Sequence, residues 1–506
     1  MGLRKKLKFI VFACMIILIL LFALVSCNAS KEKISGGTNE TTEQNKNIEE
    51  NPETPAAIRL YPDLPASDFN GYEFTFITRT IDNPDWVDWN HRDIYAEEQN
   101  GDPINDAVYI RNRTIEAKYN FIVKEIVRNN VVNDVRKAVK AGDNSYDIAM
   151  IHLNTELPAL SQDGYLYNIM TMPYLDLAKP WWNDGCIRDL SIMGKLYALQ
   201  SDLTILDNDA TSAMIFNKKL LQDFGLENPY ELVNSGNWTL GKLAEMIKGV
   251  SHDINGDGKM YILDDRFGLI TQEDSALSFL YGTGERTVSK DNNGYPIPVF
   301  SNQRAISVME FLTDLIADPD NVVRLHQHMN KLAIYEEQAR MMEEDRALFS
   351  WIRMRMVEKL RSMQTDFGIL PMPKWESAQE RYWTQMNSHT SAAVSVPKSN
   401  DDPERTGIIL EALTAESKYT LQPAYYDLNL YGKFTRDEES RDMLDIIFST
   451  TMYDIGEVFN FGNFAETIIH YPSNKNYTYA STYEKLESKI YKDIDKVMAK
   501  YADIDD

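Results

Sequence analysis

Gly194-Lys-Leu-Tyr-Ala-Leu-Gln-Ser-Asp-Leu-Thr-Ile-Leu-Asp-Asn-Asp-Ala-Thr-Ser-Ala-Met-Ile-Phe-Asn-Lys-Lys-Leu-Leu221 is the stretch whose reading decides the fold. Tyr197 to Leu199 and Ser212 to Asn217 are apolar runs of strand length, and the segment between them, Ser201 to Thr211, is acidic and turn-rich. The second run continues into Lys218 to Gly225, a short helix closed by glycine. Two strands parted by a polar turn, the second feeding a helix, describe a chain leaving one α/β lobe for another. A length of 506 residues is too great for a single core and independently calls for at least two lobes.

Upstream of the crossing, strand and helix patterns alternate. Tyr72-Glu-Phe-Thr-Phe-Ile-Thr78 has the period of a half-buried strand. Residues 103–119 predict a helix with Ile104, Val108, Ile115 and Tyr119 on or near one face. Residues 121–127 predict a strand, 131–141 a helix and 146–151 a third strand. This order predicts an α/β fold with a largely parallel sheet, whose ligands sit beyond the carboxyl ends of the strands. The loops after two of these strands are therefore candidate binding segments: Asp85-Trp86-Val87-Asp88-Trp89 and His152-Leu153-Asn154-Thr155. Downstream, Thr239 is placed to cap a helix that buries Leu240, Leu243, Met246, Ile247 and Val250. Helices are expected near 305–316 and 331–344, and strands at 266–271, 347–352, 367–373 and 392–397. The last hundred residues are mostly helical in pattern.

Charge and cysteine usage narrow the function. The chain has 52 basic and 76 acidic residues, a net charge of −24. Residues 1–26 hold Arg4, Lys5, Lys6 and Lys8 and no acid, so the remainder carries −28. Such a surface repels phosphate backbones, which argues against nucleic acid as a partner. After the basic start, Phe9 to Ser26 run without a charge, a length suited to a signal peptide or an uncleaved spanning helix. Leu24-Val25-Ser26-Cys27 resembles a bacterial lipobox, which implies cleavage before Cys27, a lipid on its thiol and an extracellular location. Only Cys186 then remains in the mature chain, too few for an internal disulfide or a thiolate metal cluster. Residues 28–57 are small and polar and form a flexible tether.

The candidate chemistry is that of a binding site. A sugar packs its C–H face on an indole and offers hydroxyls to carboxylates, amides and arginine. Trp86 and Trp89 flank Asp88 in the first loop, with His152 and Asn154 in the second. Trp182 precedes the crossing, Asp202 and Asp209 lie within it, Trp351 and Arg353 follow an apolar run, and Trp383 precedes a returning strand. On an extended segment the adjacent indoles of Trp181 and Trp182 face opposite ways, so at most one of them stacks on a ligand. The acids of the crossing also admit a glycosidase pair, which needs two carboxylates about 5–10 Å apart. His326-Gln-His328 lacks the cysteine or HExxH partners of a metal site. Asp253-Ile-Asn255-Gly-Asp257-Gly258-Lys259-Met-Tyr261-Ile-Leu-Asp264 fits a calcium loop. Its oxygens fall at positions 1, 3, 5, 7, 9 and 12, as calcium loops require, counting the Lys259 carbonyl and Tyr261 or a water. Asp264 stands where such loops carry glutamate, and the next residue, Asp265, is an alternative twelfth ligand. A metal-free Asx-rich turn is the other reading.

Several stretches resemble the family-1 extracellular solute-binding proteins of Gram-positive bacteria. They are Arg92 to Glu98 with Gly101 to Val108, Tyr146-Asp-Ile-Ala149, Trp181 to Leu221, the calcium-like loop and Asp366 to Lys374. The resemblance implies two α/β lobes of the type II periplasmic-binding-protein kind, joined by crossover strands around a ligand cleft. It implies a monomeric, lipid-anchored protein that captures a carbohydrate and delivers it to the permease subunits of an ABC transporter, with no catalysis. The expected division is a signal peptide (1–26), a tether (27–57), a first lobe (58–210 with part of 392–506) and a second lobe (211–391). A helical C-terminal part (392–506) returns to the first lobe and hinge. A lipid-anchored polysaccharide-cleaving enzyme, a peptide-binding protein and a binding protein serving a sensor kinase remain open alternatives.

Overall fold

The computed structural model describes residues 59–81, 89–360, 363–426, 438–473 and 478–504. The signal segment, Cys27, the tether, Trp86 and Asp88 lie outside the described residues. Strand β1 (Tyr72–Arg79) is followed by helix α1 (Pro103–Tyr119), β2 (Phe121–Arg128), α2 (Val131–Ala141) and β3 (Ile148–His152). Helix α1 begins where Asp102 accepts the backbone N–H groups of Ile104 (3.1 Å) and Asn105 (3.0 Å), with Pro103 in the first turn. It ends at Asn120, which adopts a left-handed conformation. Arg111 of α1 is buried and donates to the carbonyls of Leu203 (2.9 Å) and Ile94 (2.9 Å). These bonds tie the helix to the crossing, and burial lowers the Arg111 pKa to about 10.

The crossing itself is less regular than its sequence suggests. The expected strand at 197–199 reduces to one antiparallel bridge between Leu199 and Val394. Neighbouring carbonyls serve side chains instead, Ser395 Oγ donating to Tyr197 O at 2.6 Å and Cys186 Sγ to Ala198 O at 3.8 Å. The acidic stretch contains a one-turn helix, Leu206–Ala210, and Thr211 pairs with Met386 before the chain enters β4 (Ser212–Asn217).

Beyond it come α3 (Leu240–Ile247), β5 (Phe267–Thr271), α4 (Ser275–Gly282), α5 (Gln303–Ile316), β6 (Val322–Arg324), β7 (Ala347–Arg353) and β8 (Phe367–Leu370). Thr239 caps α3 by accepting from Lys242 N at 3.2 Å, and the five apolar residues assigned to its inner face are all buried. The chain then passes through β9 (Ala392–Ser395) to α6 (Pro403–Ser417), α7 (Phe464–His470) and α8 (Tyr479–Ala502).

Two sheets organise the molecule. In the first, with order β9-β3-β1-β2, β1 is parallel to β2 (Tyr72 opposite Phe121) and to β3 (Phe76 opposite Ile148), while β9 is antiparallel to β3. In the second, with order β8-β4-β7-β5-β6, β7, β5 and β6 run parallel and β4 runs antiparallel to both its neighbours. Every residue of the central β7 is buried, which is why its sequence is mostly apolar, broken by Ser350 and ended by Arg353, rather than alternating. Helix α8 touches both lobes. Near its start Tyr479 donates to Phe300 O (2.7 Å), and near its end Tyr501 packs edge-on to Tyr197 at 5.2 Å. Among the described residues no helix is long and apolar enough to cross a membrane.

Candidate ligand-binding site

The carboxyl ends of strands from both sheets converge on one cavity of about 490 Å³. Arg79 ends β1 and His152 ends β3 in the first lobe; Arg353 ends β7, Glu273 and Asp274 follow β5, and His326 follows β6 in the second. Trp89, His389 and His470 complete the wall. This is where an open α/β sheet presents ligand groups, because backbone N–H groups and the following loops are free there.

Arg353 is the best-enclosed charge in the cavity, only 4% exposed. Its guanidinium lies 5.4 Å from the ring centre of Trp89 and 5.5 Å from that of Trp351. Nη2 donates to Asp274, whose Oδ2 also accepts from Asn387 Nδ2 (3.1 Å), while Arg353 Nε and Nη1 have no hydrogen-bond partner among the described residues. Burial opposes ionisation of Asp274, but the adjoining Arg353 outweighs it and holds the carboxyl below its ordinary value. His470 bridges two carboxylates, Nδ1 facing Glu273 at 2.6 Å and Nε2 facing Glu466 at 2.9 Å. Burial works against its charge, yet these two acids prevail and raise its pKa. His152 behaves oppositely: burial, aided by the nearby charge of Arg79, lowers it to about 3, so it stays neutral. Burial also lowers His326, whose Nδ1 accepts from Glu273 N at 3.0 Å.

The residues singled out from sequence divide among three places. Trp89, His152 and Arg353 line the cleft. Asn154 stands behind it and fixes His389 through a 2.6 Å bond to Nδ1, while Trp351 is wholly buried beneath Arg353. Trp182 and Asp202 line a second cavity, about 450 Å³, at the crossing, with Asp207, Arg381 and Gln422. Asp209 is enclosed by Arg92 (3.2 Å) and Arg355 (3.5 Å), and Trp383 lies under Arg381 and Arg286. The two adjacent indoles do not face opposite ways. The chain turns at Lys179, whose carbonyl accepts Trp182 N (3.2 Å), and the indole N–H groups of Trp181 (3.1 Å) and Trp182 (3.0 Å) both donate to Glu411.

Sequence reasoning passed over Arg79, Glu273, Asp274, His389, Glu466 and His470. The first three directly follow predicted strands, so the rule that placed His152 in the site would also have found them. Glu466 and His470 are brought in by long-range packing of α7 on α4, for which no local signal exists.

The 253–265 loop is curled by its own side chains. Asp253 accepts from Gly256 N and Gly258 N, both at 2.7 Å, Asn255 from Asp257 N (2.9 Å) and Asp257 from Lys259 N (2.9 Å). The carboxylate that closes the loop is Asp265, fully buried and accepting from Ile254 N (2.8 Å) and Tyr261 N (2.7 Å), whereas Asp264 is exposed. Among the described residues no three His, Cys, Asp or Glu side chains are placed to hold a metal ion. A cation here would therefore draw on Asp253 and Asp257 together with Asn255 and the Lys259 carbonyl.

No protein-family model matches the chain, and no curated protein matches it. Solved structures do. The galacto-N-biose/lacto-N-biose I-binding protein of the ABC transporter from Bifidobacterium longum, in complex with lacto-N-biose, has a TM-score of 0.53 and 12% identity over 85% of this chain and 99% of that one. The ABC substrate-binding protein Lmo0181 from Listeria monocytogenes, in complex with cycloalternan, has a TM-score of 0.51 and 11% identity over 85% and 99%. The apo form of RafE from Streptococcus pneumoniae has a TM-score of 0.51 and 13% identity over 85% and 97%. At such identities the likeness is one of fold: the chain is α/β and two-lobed, built as these proteins are.

Proposed function

We propose that this chain, built on the two-lobed fold of ABC-transporter solute-binding proteins, is a monomeric extracellular protein that captures a carbohydrate in the interlobe cleft. It is anchored by a lipid on Cys27 and delivers its cargo to membrane permease subunits. The observation that carries this reading is the convergence of strand ends from both sheets on one cavity that holds an indole, two arginines and four histidines. Trp89 supplies an apolar face, and the polar groups around it suit hydroxyls that lie in the plane of a sugar ring. The structures of similar fold named above include complexes with lacto-N-biose and cycloalternan, which supports saccharide as the ligand class.

The protein acts by binding. Each carboxylate of the cavity has a cationic partner, Asp274 in Arg353, and Glu273 and Glu466 in His470. Asp274 Oδ1 is unpartnered, but Arg353 holds that carboxyl below its ordinary value, so it is not set up as the protonated acid of glycoside cleavage. Because the ligand contacts both walls only when the lobes are together, it shifts the open–closed equilibrium toward closed, the form that the permease recognises. In the same reading the 253–265 loop binds a structural calcium ion that braces the second lobe.

A thermal-shift screen of the full-length chain in detergent against mono- and oligosaccharides, with and without calcium, tests these points. One saccharide class at a hundred times its Kd raises stability by about 2.7 kcal/mol and is recovered unchanged. Recovery of cleaved sugar contradicts the binding role. Calcium raises the midpoint of the wild type and not of Asp253→Ala; equal curves with and without calcium remove the ion from the account.

A further inference from the structure

We infer that the saccharide taken by this cleft carries an anionic group, a uronate carboxylate or a sulfate ester, held between Arg79 of the first lobe and Arg353 of the second. This rests on the carbohydrate reading above and narrows it. Arg79, at the carboxyl end of β1, lines the cavity, and although its backbone pairs with Arg128 its side chain has no hydrogen bond or ion pair with any described residue. Its charge is felt by His152 and by Glu156, but Glu156 is committed to the backbone N–H of His152 at 2.8 Å. Arg353, facing the same cavity from the other sheet, uses Nη2 for Asp274 and leaves Nε and Nη1 unpaired although the side chain is buried.

Each acid of the cavity has an engaged oxygen, although Asp274 Oδ1 is buried without a partner; Arg353 pairs through Nη2 alone, and the Arg79 side chain has no ion pair with a described residue. Asp274 is bonded to Arg353 and Asn387, and Glu273 and Glu466 flank His470. Against the unpaired Asp274 Oδ1 stand Nε and Nη1 of Arg353 and the whole Arg79 guanidinium, so the complementary ligand group is an acceptor. Buried guanidinium N–H groups without a partner, as Nε and Nη1 of Arg353 are, are costly, and a charged oxygen satisfies them about twice as strongly as a neutral hydroxyl. His152 and His326 are neutral, so they do not supply this charge and serve as hydrogen-bond partners for hydroxyls. With one guanidinium on each lobe, the anionic group also gives the closed form a contact that neither lobe makes alone.

Calorimetric titration of the full-length chain in detergent with matched disaccharides decides the point: digalacturonate against galactobiose, a glucuronate disaccharide against its neutral counterpart, and a sulfated galactose disaccharide. The expected result is at least tenfold tighter binding of an anionic member than of its neutral match, and whether carboxylate or sulfate binds names the source. Arg79→Gln brings that ratio below threefold, whereas Arg79→Lys, which keeps the charge, preserves most of it. Neutral members binding as well as anionic ones overturn the inference and leave the carbohydrate reading standing. Equal loss for both members in Arg79→Gln also overturns it, by making Arg79 a general part of the wall. No binding by any saccharide removes both.

Discussion

Glu411 shows how one buried group leaves a trace that solution measurements can follow. Both indole N–H groups of Trp181 and Trp182 donate to it, and it lies in α6, wholly inside the first lobe. Burial raises its pKa to about 7, and the bonds from Trp182, from the backbone of Asp176 and from Trp181 offset only part of that. The folded chain therefore keeps a proton that the unfolded chain releases near its ordinary value of 4.5. The stability tied to this group is full below pH 4.5, declines as pH rises to about 7 and is flat above, a loss of about 3 kcal/mol. Denaturant unfolding between pH 4.5 and 7.5 checks it: the difference between wild type and Glu411→Gln should slope across that window. Tryptophan emission should change over the same range in the wild type alone. A difference profile without slope means that Glu411 is ionised throughout.

Among the elements, β8 leaves little room for change at one position. Gly368 sits where a β-carbon would collide with the ring of Phe216 and the hydroxyl of Tyr230, two aromatic groups that are themselves packed edge-to-face at 5.2 Å. Gly368→Ala should lower the unfolding free energy by about 1–3 kcal/mol through overpacking, seen as a reduced midpoint in urea at an unchanged slope. An unaltered midpoint would mean that the strand shifts without cost. Elements of this kind were legible in the sequence when their determinants were local. Asp102 and Pro103 start α1, Thr239 starts α3, and the largely apolar run of β7, with Ser350 alone interrupting 347–352, declares a strand covered on both faces. The strand expected at 197–199 shortens to the Leu199 bridge because the carbonyls of Tyr197 and Ala198 accept from Ser395 and Cys186, contacts with residues far from the crossing or on another element. The adjacent tryptophans depart from expectation for a related reason: opposite-facing indoles need an extended segment, and the chain turns at Lys179.

At the scale of the whole molecule, the proposed function requires the two sheets and the segments between them to close on a ligand. The crossing at 199–212 and the paired segment that returns through Met386 connect the lobes, and α8 lies against both. If closure pivots about these connections as proposed, small-angle scattering gives a smaller radius of gyration with saturating saccharide than without it. Identical profiles would remove closure from the mechanism. The location of the cleft was legible, since it follows from strand order alone, and it captured Trp89, His152 and Arg353. Its second half was not, because Glu466 and His470 come from a tail helix positioned only by tertiary packing. The second cavity at the crossing took Trp182 and Asp202, residues whose types suit a sugar equally well. The most direct measurement therefore sets the two cavities against each other. The saccharide identified by the stability screen is titrated calorimetrically into the wild type, Trp89→Ala and Asp202→Asn. Trp89→Ala should weaken binding at least tenfold, a loss of about 1.4 kcal/mol or more, and Asp202→Asn should bind as the wild type does. The reverse pattern, with Trp89→Ala unaffected and Asp202→Asn impaired, would place the ligand at the crossing and contradict the account.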